Sequence, residues 1–152
     1  MRPPLEFFVA GLPKAQPRAK ARAFAGHAQT YNPKDADDWK MIVRNEAQKA
    51  WGIPPCRPWE GPLRVDLTFY FPRPKSHFRS NGLLKPTAPK WHTGKPDRDN
   101  SDKAVLDALT NLGIWGDDKQ ACDGRIQKLY ADSSGPGCLI RISEAETSGG
   151  AA

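Results

Sequence analysis

Apolar and polar residues alternate most cleanly between Leu63 and Phe71, where Leu63, Val65, Leu67, Phe69 and Phe71 interleave with Arg64, Asp66, Thr68 and Tyr70. A period of two puts the first set on one face of a strand and the second on the other, so one face is core and the other partly wet. Pro72 ends the run. A shorter first strand is predicted over 5–10 around Phe7 and Phe8, stopped by Gly11 and Pro13. The period changes over 34–51, where Trp39, Ile42, Val43, Ala47 and Ala50 fall near one face of a helix and Asp35, Asp37 and Asp38 near its positive end. A second helix is predicted over 100–112: Val105, Leu106, Leu109 and Leu112 form one buried stripe, Asp99 or Asn100 serves as the N-cap, and Gly113 stops it. Beyond it, Ile114 and Trp115 read as buried. Segments 121–131 and 137–143 read as a closing pair of strands joined by a turn at 132–136. The predicted fold class is α+β, a single domain over 1–143 with about four strands in a mixed or antiparallel sheet and the two helices packed on it. The small, polar tail at 144–152 should fray.

Between these elements lie three irregular stretches. The connection at 52–62 is stiffened by Pro54, Pro55, Pro58 and Pro62. Loop 11–33 carries Lys14, Arg18, Lys20 and Arg22 on a segment that Pro13 and Pro17 keep out of a helix. Such a loop either follows a phosphate backbone, with Phe24 or Tyr31 stacking on an exposed base, or is a solvated loop anchored by an aromatic. Loop 73–95 is too polar and Pro-rich for core and too long for an ordinary connection, which marks it as functional or disordered. Arg73, Lys75, Arg79, Lys85, Lys90 and Lys95 make it basic, and His77 and His92 add further candidate phosphate contacts. Phe78 and Trp91 either stack on bases or pin the loop to the body.

Lys and Arg outnumber Asp and Glu by 23 to 17, a net charge of +6 that favours a polyanionic partner. There is no apolar run of membrane-spanning length and no secretory-type leader at 1–11, so the expected location is the cytoplasm. Cys56, Cys122 and Cys138 are odd in number and widely spaced, which excludes a disulfide framework and a zinc finger and leaves small buried side chains as the expectation.

The chemistry concentrates in 95–120, KPDRDNSDKAVLDALTNLGIWGDDKQ. Asp97 and Asp99 are two residues apart, so on an extended chain both carboxylates leave one side. The open face of the following helix carries Asp102, Lys103, Asp107 and Asn111, and the turn Gly116-Asp117-Asp118 has the length to return a third carboxylate. Clustered carboxylates repel, and protonation or a hard cation such as magnesium relieves the repulsion. Such an ion activates water and stabilises charge on a phosphate under attack, to which Lys103 offers a further cation. The simpler alternative makes Asp99 and Asn100 a cap, Asp117 and Asp118 a turn, and Lys103 part of a solvated face.

That same run resembles the signature of the RusA family of Holliday-junction resolvases: D-x-D-N, a Lys four residues beyond the second Asp, D-A-L and a later D-D-x-Q. The resemblance implies that Asp97, Asp99 and Asp118 are metal-binding catalytic acids and that Lys103 is a catalytic lysine. Asp117, Asn100 and Gln120 match neighbouring positions. It further implies a homodimeric, magnesium-dependent endodeoxyribonuclease, with manganese as a substitute ion, that cuts four-way DNA junctions by paired symmetric nicks in recombination and repair. The cations and histidine expected to contact DNA are Lys14, Arg18, Lys20, Arg22, Arg73, Lys75, His77, Arg79, Lys90 and Lys95. A small resolvase of this kind suits a bacterial cell or a phage or prophage. The alternatives are a non-catalytic branched-DNA-binding protein and a nuclease acting on other branched or flap DNA.

Overall fold

The alternating run at 63–71 becomes the central strand of the sheet in a computed structural model that describes residues 1–17 and 33–146. In chain order the elements are β1 (Leu5–Ala10), α1 (Pro33–Trp51), β2 (Leu63–Phe71), α2 (Arg98–Leu112), β3 (Ala121–Asp123), β4 (Ile126–Tyr130) and β5 (Gly137–Glu144). Every odd residue of β2 is buried and every even one is half-buried, as the period of two requires. The buried face meets Trp39, Val43 and Ala47 of α1 and Ala104, Val105, Ala108 and Leu109 of α2 in one apolar core, closed by Ile114 and Trp115. Two helices over one face of a sheet make this an α+β fold.

The sheet has five strands, where the sequence suggests about four. Its order runs β1, β5, β2, and then β3 and β4 together along the far edge of β2. The expected closing hairpin is absent: β4 pairs parallel with β2, and β5 pairs antiparallel with both β1 and β2. The cause lies in the connections. The chain leaves β2 and returns through α2, a crossover that delivers β3 and β4 parallel to β2. Tyr130 is then paired with Phe71 and Gly137 with Tyr70, so 131–136 arches over the end of β2 to its other edge. The long strand expected over 121–131 is broken at Gly124, whose φ is +142° and where a Cβ would lie 1.9 Å from the Val65 carbonyl oxygen. Only glycine permits that approach.

Two further expectations are corrected, and one left open is narrowed. The fraying tail does not begin at 144, because Glu144 pairs with Leu63 in the sheet and the Ala145 N–H donates to the Pro62 carbonyl at 3.0 Å. Of the three cysteines only Cys138 is buried; Cys122 is exposed and Cys56 intermediate. Loop 73–95 is ordered against β4: the Tyr130 N–H donates to the Lys90 carbonyl and the His92 N–H to the Lys128 carbonyl, both at 3.0 Å. The loop thereby covers an edge that would otherwise present unpaired backbone groups.

Candidate active site

Helix α2 begins two residues earlier than its sequence suggests. Asp97, not Asp99 or Asn100, is the N-cap, with extended backbone (φ −68°, ψ 153°), and Asp99 is the second helical residue. The two carboxylates therefore do not leave one side of a strand. They stand at the cap and in the first turn, where the positive end of the helix favours negative charge and so favours the earlier start. The Asp97 side chain accepts no capping hydrogen bond from the helix. Asp99 accepts the Asn100 N–H at 3.0 Å. Gly113, with φ of +86°, closes the other end of α2 in the left-handed region.

The turn after α2 does return a carboxylate to the helix. Asp117 and Gln120 form a reciprocal cap on the single 3-10 turn at 118–120: the Asp117 carboxylate accepts the Lys119 N–H at 3.1 Å, and Gln120 Oε1 accepts the N–H groups of Gly116 and Asp117 at 2.8 and 3.1 Å. Gln120 also donates from Nε2 to the carbonyls of Trp59 and Gly61, which fastens the turn to the body. With Asp117 so occupied, Asp118 is the acid turned towards α2, and its Oδ2 receives a hydrogen bond from Lys103 Nζ at 3.1 Å. Lys103 also reaches Asp107 Oδ1 at 3.0 Å, and these two carboxylates, Asp107 the stronger, raise its pKa and keep it charged.

Asp102 is a member of this cluster that the sequence pattern left on a generic open face. It is half-buried, and burial, followed by the charge of Asp118, pushes its pKa up to about 6. Asp99 adds to the same repulsion while Arg98 and Lys103 oppose it. Its spacing of three from Asp99, the neighbour distance on a helix, was the available signal. Among the described residues no three His, Cys, Asp or Glu side chains converge closely enough to hold a metal ion together. The donor chemistry nonetheless fits magnesium, which takes oxygen ligands, keeps several waters and commonly relies on one or two carboxylates plus substrate phosphate. Asp97 and Asp99 are exposed at one end, and Asp118 is the candidate at the other.

The approaches to the site are held by backbone contacts. The Gln16 N–H donates to the Asn100 carbonyl at 3.0 Å, which brings loop 11–17, with the half-buried Lys14, to the first turn of α2. Lys128 Nζ donates to the Gly94 carbonyl at 2.6 Å and steadies the chain entering Asp97; burial lowers its pKa against the favourable charge of Asp97. Lys75, Arg79, Lys90 and Lys95 are exposed. Arg73 and His77 are instead turned into the loop. Arg73 donates to the carbonyls of Ala131 and Pro89 and contacts His77 Nδ1, while His77 meets the Tyr130 ring edge-on. His92 stacks on Phe71 with centroids 4.1 Å apart, and burial, aided by Lys128, lowers its pKa. Arg18, Lys20, Arg22, Phe24 and Tyr31 lie outside the described residues. No described helix is long and apolar enough to cross a membrane.

A protein of Bacillus subtilis (strain 168), the uncharacterised YqaN, is 32% identical over 145 residues, which cover 90% of this chain and 95% of that protein. Crossover junction endodeoxyribonuclease RusA of Escherichia coli (strain K12) is 39% identical over 59 residues, 36% of this chain and about half (49%) of that enzyme. The profile of endodeoxyribonuclease RusA matches residues 10–143, from the end of β1 through β5 and across the whole acidic site. A match of that extent settles the lineage: the chain belongs to the RusA endodeoxyribonuclease family.

Proposed function

We propose that this protein is a magnesium-dependent endodeoxyribonuclease that resolves four-way DNA junctions by paired nicks. The observation that carries the proposal is the contact between Lys103 and Asp118 at 3.1 Å, which joins α2 to the returning turn of the signature segment. An exposed ion pair of this kind contributes little to stability, under about 1 kcal/mol, so its arrangement is better explained by chemistry.

Asp97, Asp99 and Asp118 are the candidate ligands, of which one or two at a time, completed by water and a substrate phosphate, would hold the ion, with manganese as a substitute. Magnesium bound there supplies Lewis-acid chemistry, lowering the pKa of a water and neutralising charge on the phosphate oxygens. Lys103 is held charged by Asp107 and Asp118 and is free to exchange one of them for a phosphate oxygen, stabilising the charge that develops as the bond to the leaving oxygen breaks. Asp118 positions that ammonium. The exposed cations Lys75, Arg79, Lys90 and Lys95 offset the acids and draw the DNA backbone towards them. A junction has approximate two-fold symmetry and needs two opposed cuts, which two identical sites in a homodimer would deliver.

The test is cleavage of a labelled four-way junction beside linear duplex of the same sequence, with magnesium and with chelator. We expect paired, magnesium-dependent nicks near the branch, and a loss of at least about 100-fold in rate for Asp99→Asn. Binding without cutting would establish a non-catalytic junction binder, and equal cutting of duplex a general nuclease.

A further inference from the structure

Beside the first turn of α2 lies an open cleft of about 360 Å³ lined by Trp91, Arg98, Gly124, Arg125, Ile126 and Gln127. Its volume falls in the range of roughly 300–1,000 Å³ typical of sites for small ligands. It adjoins a second hollow that contains Asp102, the two sharing Gly124 and Ile126. The two hollows thus share a wall, and Arg98 in the first and Asp102 in the second both belong to the early part of α2.

The Trp91 ring is held out on a fixed support. Its backbone forms a bridge with Leu129, and its neighbours Lys90 and His92 are bonded to β4, yet the residue is 48% exposed. The loop is therefore pinned through its backbone, and pinning does not account for the large aromatic surface left in water. Lys90 Nζ stands 5.3 Å from the ring centroid. Arg98, between Asp97 and Asp99, and Arg125 are both exposed, and the Arg125 backbone is fixed by the Asp66 carboxylate and the Leu67 N–H. Gln127 adds an amide, a donor and acceptor pair. Gly124 must be glycine here, which keeps that part of the wall free of a side chain.

We infer that this cleft takes one unpaired nucleobase of the DNA strand next to the cut phosphate, stacked on Trp91, with Arg98 and Arg125 on the flanking phosphates and Gln127 on the base edge. A flat aromatic face suits any base, and an amide adds selectivity among them. Bases in a duplex are stacked and unavailable; those at a branch point are not. The cleft would then favour branched over linear DNA and make cutting depend on the base at one position. The inference rests on the junction-cutting reading of the site.

The experiment measures binding first, in chelator, by fluorescence anisotropy of a labelled four-way junction, intact or with a single abasic site placed in turn at each position around the branch. We expect Trp91→Ala to weaken binding of the intact junction on the order of ten-fold, the effect of one lost stacking contact. With the abasic site at the critical position, wild type should weaken equally and Trp91→Ala should lose nothing more. Trp91→Phe should retain most of the affinity, and Arg125→Gln, which leaves the Trp91 support untouched, should weaken intact and abasic junctions alike. If Trp91→Ala and the abasic sites act additively at every position, no base enters the cleft and the inference is overturned. Cutting with magnesium is then measured on the same set. A protein that shows the coupling but cuts no junction fails the resolvase reading alone, whereas one that cuts junctions without the coupling fails this inference alone.

Discussion

Asp117 and Asp118 are adjacent, identical in charge and indistinguishable by composition, yet the structure gives them different tasks. Asp117 accepts the Lys119 N–H, a bond that lowers its pKa, and with Gln120 it holds the turn closed. Asp118 accepts the hydrogen bond from Lys103. Asp117→Asn keeps an oxygen that can cap, so it should leave the cutting rate within a few-fold of wild type and lower the melting temperature only slightly. Asp118→Asn removes the acid that faces Lys103, and should lower the rate by at least about 100-fold while leaving the melting temperature almost unchanged, because an exposed pair contributes little. Single-turnover cleavage and thermal melting on both variants decide the matter. A reversed pattern would make Asp117 the working acid and Asp118 the structural one.

At the scale of elements, the β3–β4 segment is the part of the fold most dependent on a single residue. Gly124 lies where the Val65 backbone presses against it, and its φ of +142° is strained for any other residue. Gly124→Ala should cost about 3 kcal/mol or more, from backbone strain together with a clash that no side-chain movement relieves. Urea denaturation measures this directly, and a loss under about 1 kcal/mol would mean that β4 slides along β2 at little cost. The same residue explains what the sequence leaves illegible. The period of two in β2 and the buried stripe of α1 are local patterns, and they fold as they read. The break at Gly124, the parallel pairing of β4 and the arch to β5 depend on Val65, Phe71 and Tyr70, some sixty residues away, and no local periodicity encodes them. The site divides in the same way. The carboxylates and the lysine were legible as residue types at a spacing. The pairing of Lys103 with Asp118 and the entry of Asp102 into the cluster required the turn at 116–120 to be folded back.

Across the whole molecule the question is how a site built from acids acts on a polyanion. The net charge of +6 is not spread evenly: the acids converge at α2, while exposed cations line loop 73–95, which leads into Asp97. If that loop tracks the DNA backbone, each cation that neutralises a phosphate releases counterions, and the logarithm of affinity falls with the logarithm of salt concentration by about 0.9 per contact. Replacing Lys75, Arg79 and Lys90 together by Ala should therefore reduce the steepness of the salt dependence for junction binding in chelator by about two to three. Arg73→Ala should lower thermal stability instead, with the slope nearly unchanged, because its guanidinium is bonded to the Ala131 and Pro89 carbonyls inside the loop. A triple variant with the wild-type slope would place the DNA path on another face and leave the exposed cations of the loop as solvation alone. A reduced slope with retained fold would show that the loop works as an electrostatic guide, holding the phosphate backbone against the repulsion of the acids.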